Sequence, residues 1–141
     1  MEHEYVREWF DYADTDLASA EYLCGMHPKP LEIICYHCQQ SAEKNLKGYL
    51  IFNGIAEPPK IHNLDDLCEL CSNYDERFSE LNVACNILTV YGVQPRYPNE
   101  MEILEHDMLN ALKYARQIQD FEPLKNVRLL TCGINKEAEL E

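Results

Sequence analysis

Apolar residues recur at helical spacing along nearly the whole chain. Over about residues 4–24, Val6, Trp9, Ala13, Leu17, Ala20 and Leu23 share one stripe at 100° per residue. Glu8, Asp11, Asp14 and Thr15 lie away from it. Asp16 falls inside the stripe, where a lone carboxylate is costly, so a cationic or hydrogen-bonding partner is expected: Lys44 or Arg96, or else a backbone amide or tyrosine hydroxyl. Over about 30–53, Leu31, Cys35, Cys38, Ala42, Leu46 and Tyr49 face inward, and His37, Gln40, Glu43, Lys44 and Lys47 occupy the opposite face. Asn63 is a good N-cap for a short third helix, with Asp65 and Asp66 in its first turn and Leu64, Leu67, Cys68 and Cys71 as its apolar stripe. The segment at about 76–91 is apolar over a wide arc: Phe78, Leu81, Cys85 and Leu88 on one side, Val83, Ile87 and Tyr91 on the other. Such a helix is expected to be covered twice, by its own bundle and by a second subunit. Asn99-Glu100-Met101-Glu102 has a capping-box pattern. It predicts a fifth helix to about Phe121 that buries Met101, Leu104, Met108, Ala111, Leu112, Ala115 and Ile118.

Glycine and proline cluster at Gly25–Pro30, Asn53–Pro59 and Gly92–Pro98, with a softer break at Ser72–Asp75. No alternating strand pair lies between them. The pattern predicts an all-α fold, an antiparallel four- or five-helix up-and-down bundle over 1–122. Residues 123–141 have weaker periodicity and are expected to form a partly frayed C-terminal extension. The length of 141 residues suits one domain.

The net charge of −13 leaves no global field to attract nucleic acid, so a nucleotide site would have to be a local island. No apolar run reaches membrane-spanning length, and the acidic N-terminus lacks an apolar signal segment. Seven cysteines with no secretory signal read as reduced thiols in a cytoplasmic protein. Cys35-x-x-Cys38 and Cys68-x-x-Cys71 superficially resemble a four-thiolate zinc set. Each pair instead falls on an apolar helical stripe, so they are read as small buried hydrophobes and no metal is expected.

Charge is unevenly spread. Residues 1–25 carry seven acids and one arginine, whereas 26–60 carry four lysines and three acids. Lys44 and Lys47 lie one turn apart. If Arg96 folds toward them, they make a pocket suited to one phosphate group; the plainer reading is solvated lysines paired with Glu43 and other acids. His62 is a proton-transfer candidate or, more simply, a helix-entry residue bonded to a loop carbonyl. Arg96 is the stronger functional candidate of the Arg96-Tyr97-Pro98 turn, in which Tyr97 either packs or meets a ligand. Tyr5, Trp9 and Tyr12 are read as core or interface rather than as base-stacking groups.

Tyr36-His37-Cys38-Gln39-Gln40-Ser41-Ala42-Glu43-Lys44-Asn45-Leu46-Lys47 resembles the signature helix of the HEPN family (higher eukaryotes and prokaryotes nucleotide-binding domain). Three more motifs match in order: Ala13-Asp14-Thr15-Asp16-Leu17, Lys60-Ile61-His62-Asn63-Leu64 and Arg96-Tyr97-Pro98. The resemblance covers about residues 5–120. It implies a helical bundle, commonly a homodimer, and in prokaryotes often a partner of a minimal nucleotidyltransferase in a two-component, toxin–antitoxin-like module. Some members are ribonucleases that use an Arg-x(4–6)-His motif. No histidine stands five to seven residues after Arg7, Arg77, Arg96, Arg116 or Arg128, and His106 follows Arg96 by ten. The expected function is therefore nucleotide or phosphate binding in a groove lined by Gln40, Lys44, Lys47, His62, Arg96, Tyr97 and Asp16, with a nucleotide as the only candidate cofactor. A ligand-free dimeric interaction module is the alternative. A metal-independent ribonuclease using His62 and Arg96 is disfavoured.

Overall fold

A computed structural model of the chain describes residues 2–92 and 102–140, with side chains over 3–92 and 102–132. The described residues form six α-helices: α1 (Glu2–Leu23), α2 (Leu31–Phe52), α3 (Leu64–Ser72), α4 (Asn82–Thr89), α5 (Glu105–Gln119) and α6 (Glu122–Leu140). Short 3-10 turns precede and follow α4, at Glu76–Leu81 and Val90–Gly92. The architecture is the expected all-helical bundle. No described helix is long and apolar enough to cross a membrane.

Helix α2 is the axis of the bundle and touches all five other helices. It begins after Pro30 and ends at Asn53, whose side-chain amide donates to Tyr49 O at 2.8 Å. Gly54 then takes φ 105°, the left-handed conformation that glycine adopts without strain. Its inner face buries Ile34, Cys35, Cys38, Ala42, Leu46, Tyr49 and Leu50. Helix α1 lies close against it at Gly48. A Cβ there would sit 3.2 Å from the Phe10 ring and 3.3 Å from Trp9 Cβ, so the absent side chain sets the approach of the two helices.

Asn63 caps α3 by accepting from Asp66 N at 3.2 Å, as its position predicts. Asp75 caps the following 3-10 turn through Arg77 N at 3.0 Å, and the Arg77 guanidinium beside it holds its carboxyl below the usual carboxylate range. Leu64, Leu67, Cys68, Cys71, Phe78, Leu81, Cys85 and Leu88 are buried, in the expected register.

Three expectations need correction. On the first turns of α1 Phe10 joins Val6 in the core; Trp9 is only half-buried, and Tyr5 and Tyr12, read as core or interface, are exposed rather than core. Helix α5 starts at Glu105, so Leu104 is extended and exposed, while Ile103 is buried. Asp107 accepts from Leu104 N at 2.9 Å and makes the cap that the sequence places at Asn99–Glu102; Asn99–Met101 lie outside the described residues. The extension expected from residue 123 begins as part of the core. Leu124 and Val127 are buried there, and Arg128 Nη2 reaches Asp14 Oδ1 at 2.7 Å and also Asn45 Oδ1.

Candidate functional site: two acid–lysine–histidine clusters on α2

Successive 100° steps put His37, Lys44, Gln40, Lys47, Glu43 and Gln39 side by side across one broad polar flank of α2. The bundle divides this flank between two neighbours. On the α1 side, Asp16 Oδ1 lies 3.0 Å from His37 Nδ1, and Asp16 Oδ2 accepts from Lys44 Nζ. The carboxylate that interrupts the α1 stripe thus bonds two groups of α2 and fastens the helices together.

On the α3 side the acid belongs to α2 itself. Glu43 Oε2 accepts from Lys47 Nζ at 3.0 Å and lies 3.3 Å from His62 Nδ1. Glu43 Oε1 accepts from Gln39 Nε2 at 3.1 Å, and Gln39 Oε1 in turn accepts from Gln40 Nε2 at 2.8 Å. The Lys47 and Glu43 side chains are only 7% and 9% exposed, against 77% for His62. A carboxylate withdrawn this far from water needs several donors, and Glu43 has three groups in reach.

Of these groups, Gln40, Glu43 and His62 line an open cleft of about 470 Å³, together with Tyr36, Asn63, Thr89 and Gly92. Thr89 Oγ1 accepts from Leu64 N at 2.9 Å, which ties α4 to the start of α3. A Cβ at Gly92 would sit 3.2 Å from Gln39 Nε2, so the glycine lets the turn after α4 close against the buried amide. The result is a preformed concave site of the size used for small ligands, with donors, acceptors, an aromatic ring and an imidazole.

Among the described residues, the expected site residues are divided between the two clusters. Gln40 and His62 line the cleft. Lys47 lies buried beneath it with its charge on Glu43. Lys44 points to the α1 side with its charge on Asp16, and lines a separate aromatic cleft with Tyr5, Glu8, Trp9 and Tyr12. Arg96 and Tyr97 lie outside the described residues. The plainer expectation of lysines paired with acids describes the contacts, but the Glu43–Lys47 pair is buried rather than solvated. Gln39 and Glu43 were not among the expected ligand groups. The sequence signal for them is their place in the signature run Tyr36–Lys47, with a glutamine and a glutamate four residues apart beside an apolar stripe.

The cysteines occupy interior positions. Cys71 Sγ donates to Leu46 O at 3.5 Å and Cys68 Sγ to Phe78 O at 3.1 Å. Burial pushes the Cys35 thiol up to about 12 and raises Cys38 and Cys71 as well.

No curated protein and no solved structure matches the chain. The family model of the HEPN domain matches residues 6–126, a span that takes in α1 from Val6 onward, all of α2 to α5, the first turn of α6 and both clusters on α2. The chain belongs to the HEPN domain family.

Proposed function

We propose that this HEPN-domain protein binds a nucleotide in the cleft between α2, α3 and the end of α4, and serves as the non-catalytic partner of a small nucleotidyltransferase. The observation that carries the reading is Glu43: a nearly buried carboxylate, fixed by Lys47 and Gln39, on the floor of a ligand-sized cleft. A carboxylate so held accepts hydrogen bonds from ribose hydroxyls or a base amino group. Gln40 and Asn63 supply further amide groups, and Tyr36 offers a ring to a base. Both described α2 lysines already carry an acid, so recognition rests on the nucleoside more than on phosphate. His62, which lines the cleft and is mostly exposed, is left for the phosphate.

Calorimetry with ATP, AMP, adenosine and inorganic phosphate tests this. Adenosine is expected to retain binding within about ten-fold of ATP, and Gln40→Ala to weaken both by about five-fold. Absence of binding by all four, or binding by inorganic phosphate equal to that of ATP, contradicts it.

A ligand-free dimeric interaction module remains the second reading, favoured by α4. Val83 and Val90 are exposed on the face opposite the core, with Ile87 half-buried between them. A homodimer through this stripe would cover it. Sedimentation of Val83→Asp tests that contact: a shift to monomer supports it, and an unchanged mass contradicts it.

A further inference from the structure

Tyr5, Trp9 and Tyr12 follow one another on one flank of α1 at spacings of four and three residues, and with Glu8 and Lys44 they line a cleft of about 370 Å³ whose walls are mostly apolar. Tyr12 is 65% exposed. Tyr5 and Trp9 stand edge to face, with ring centroids 6.3 Å apart. Three aromatic rings on the rim of a small protein, apart from its ligand-sized polar cleft, form a patch that solvation alone does not explain.

The charge around the patch selects its occupant. Residues 1–25 carry seven acids against Arg7. Asp11, Asp14, Asp16 and Glu21 already face Arg7, Arg128, Lys44 and Arg116. Glu4 and Glu8 have no basic partner among the described residues, and Glu8 lies in the cleft. One ring already takes a cation: Lys44 Nζ stands 5.9 Å from the Tyr12 centroid. Its charge is held by Asp16, so it does not make the cleft positive. Among the described residues no cation lies over Tyr5 or Trp9. A second copy docking here would oppose two strongly acidic helices, and a nucleic-acid backbone would meet the same repulsion.

We infer that the Tyr5–Trp9–Tyr12 cleft docks a basic segment of a partner protein, with an arginine guanidinium stacked on Trp9 and paired with Glu8. Arginine fits better than lysine because its planar, weakly hydrated head stacks on an aromatic face while its N–H groups reach a carboxylate. This docking is independent of any ligand in the α2–α3 cleft.

Trp9 is the sole tryptophan of the chain, so its fluorescence reads the site directly. A synthetic Gly-Arg-Gly-Arg-Gly peptide is expected to change that emission saturably. The Gly-Lys-Gly-Lys-Gly peptide should bind about three-fold more weakly. Glu8→Gln and Tyr12→Ala, both at exposed positions that leave Trp9 in place, should each weaken the arginine peptide by about three-fold or more. Glu69→Gln, an exposed acid on α3, should leave binding unchanged. The inference is overturned if the arginine peptide gives no saturable change, or if Glu8→Gln and Glu69→Gln behave alike. It is equally overturned if a uridine oligonucleotide is bound more tightly, or if emission shifts with protein concentration alone, which would make the occupant a second copy.

Discussion

The two clusters on α2 use the same three kinds of side chain in opposite ways. Asp16, Lys44 and His37 join two helices, and the acid comes from across the interface. Glu43 and Lys47 pair within one helix, four residues apart, and His62 reaches them from the entry to α3. The first cluster is a structural clasp. The second is buried more deeply at its acid and lysine and opens to solvent mainly at the imidazole. Pairs spaced four apart on a helix surface are worth a few tenths of a kcal/mol. The same spacing at under 10% exposure becomes a buried ion pair, in which each partner depends on the other.

The largest expected effect follows from that burial. Lys47→Ala leaves Glu43 uncompensated and should cost about 3–5 kcal/mol, measured by urea unfolding. The double variant Glu43→Gln with Lys47→Met removes both charges and should recover most of that loss. If the double variant is no more stable than Lys47→Ala, the pair is not the reason for the cost.

Asp16→Ala comes next. It strips Lys44 and His37 of their shared acceptor and loosens α1 from α2, at an expected cost of about 1–3 kcal/mol. A loss as large as that of Lys47→Ala would mean that burial does not set the energetic order of the two clusters.

The histidines give the smallest effects, and the contrast between them is the sharper test. His37 is partly buried against Asp16, so His37→Ala should cost up to about 1 kcal/mol. His62 is mostly exposed, and His62→Ala should stay within about 0.5 kcal/mol while weakening nucleotide binding. RNA cleavage lost in His62→Ala would instead favour the ribonuclease reading.

The clasp was legible in the sequence because Asp16 breaks an apolar stripe, and a misplaced carboxylate announces a partner. The buried pair was not. A Glu and a Lys one turn apart look the same on a wetted face as under a neighbouring helix, and only the packing of α3 and the turn after α4 tells them apart. The rings on α1 failed for a related reason. Trp9 and Phe10 are one step apart, and periodicity alone does not choose between them; the close approach at Gly48 seats Phe10 inside and leaves Trp9 at the edge. Leu104 fits the apolar spacing of α5 but precedes its first turn, where helical spacing no longer applies. In α6, Arg128 closes on Asp14 and Asn45 from more than eighty residues away, a contact that no local pattern contains.

Nucleotide binding between α2 and α3 stands or falls on where a ligand perturbs the backbone. In a titration of the isotopically labelled protein with AMP, amide shifts are expected to concentrate at Tyr36, Gln40, His62, Asn63 and Thr89, and to leave Tyr5–Tyr12 unmoved. Shifts confined to α1, or none at any of these amides at saturating AMP, would contradict it.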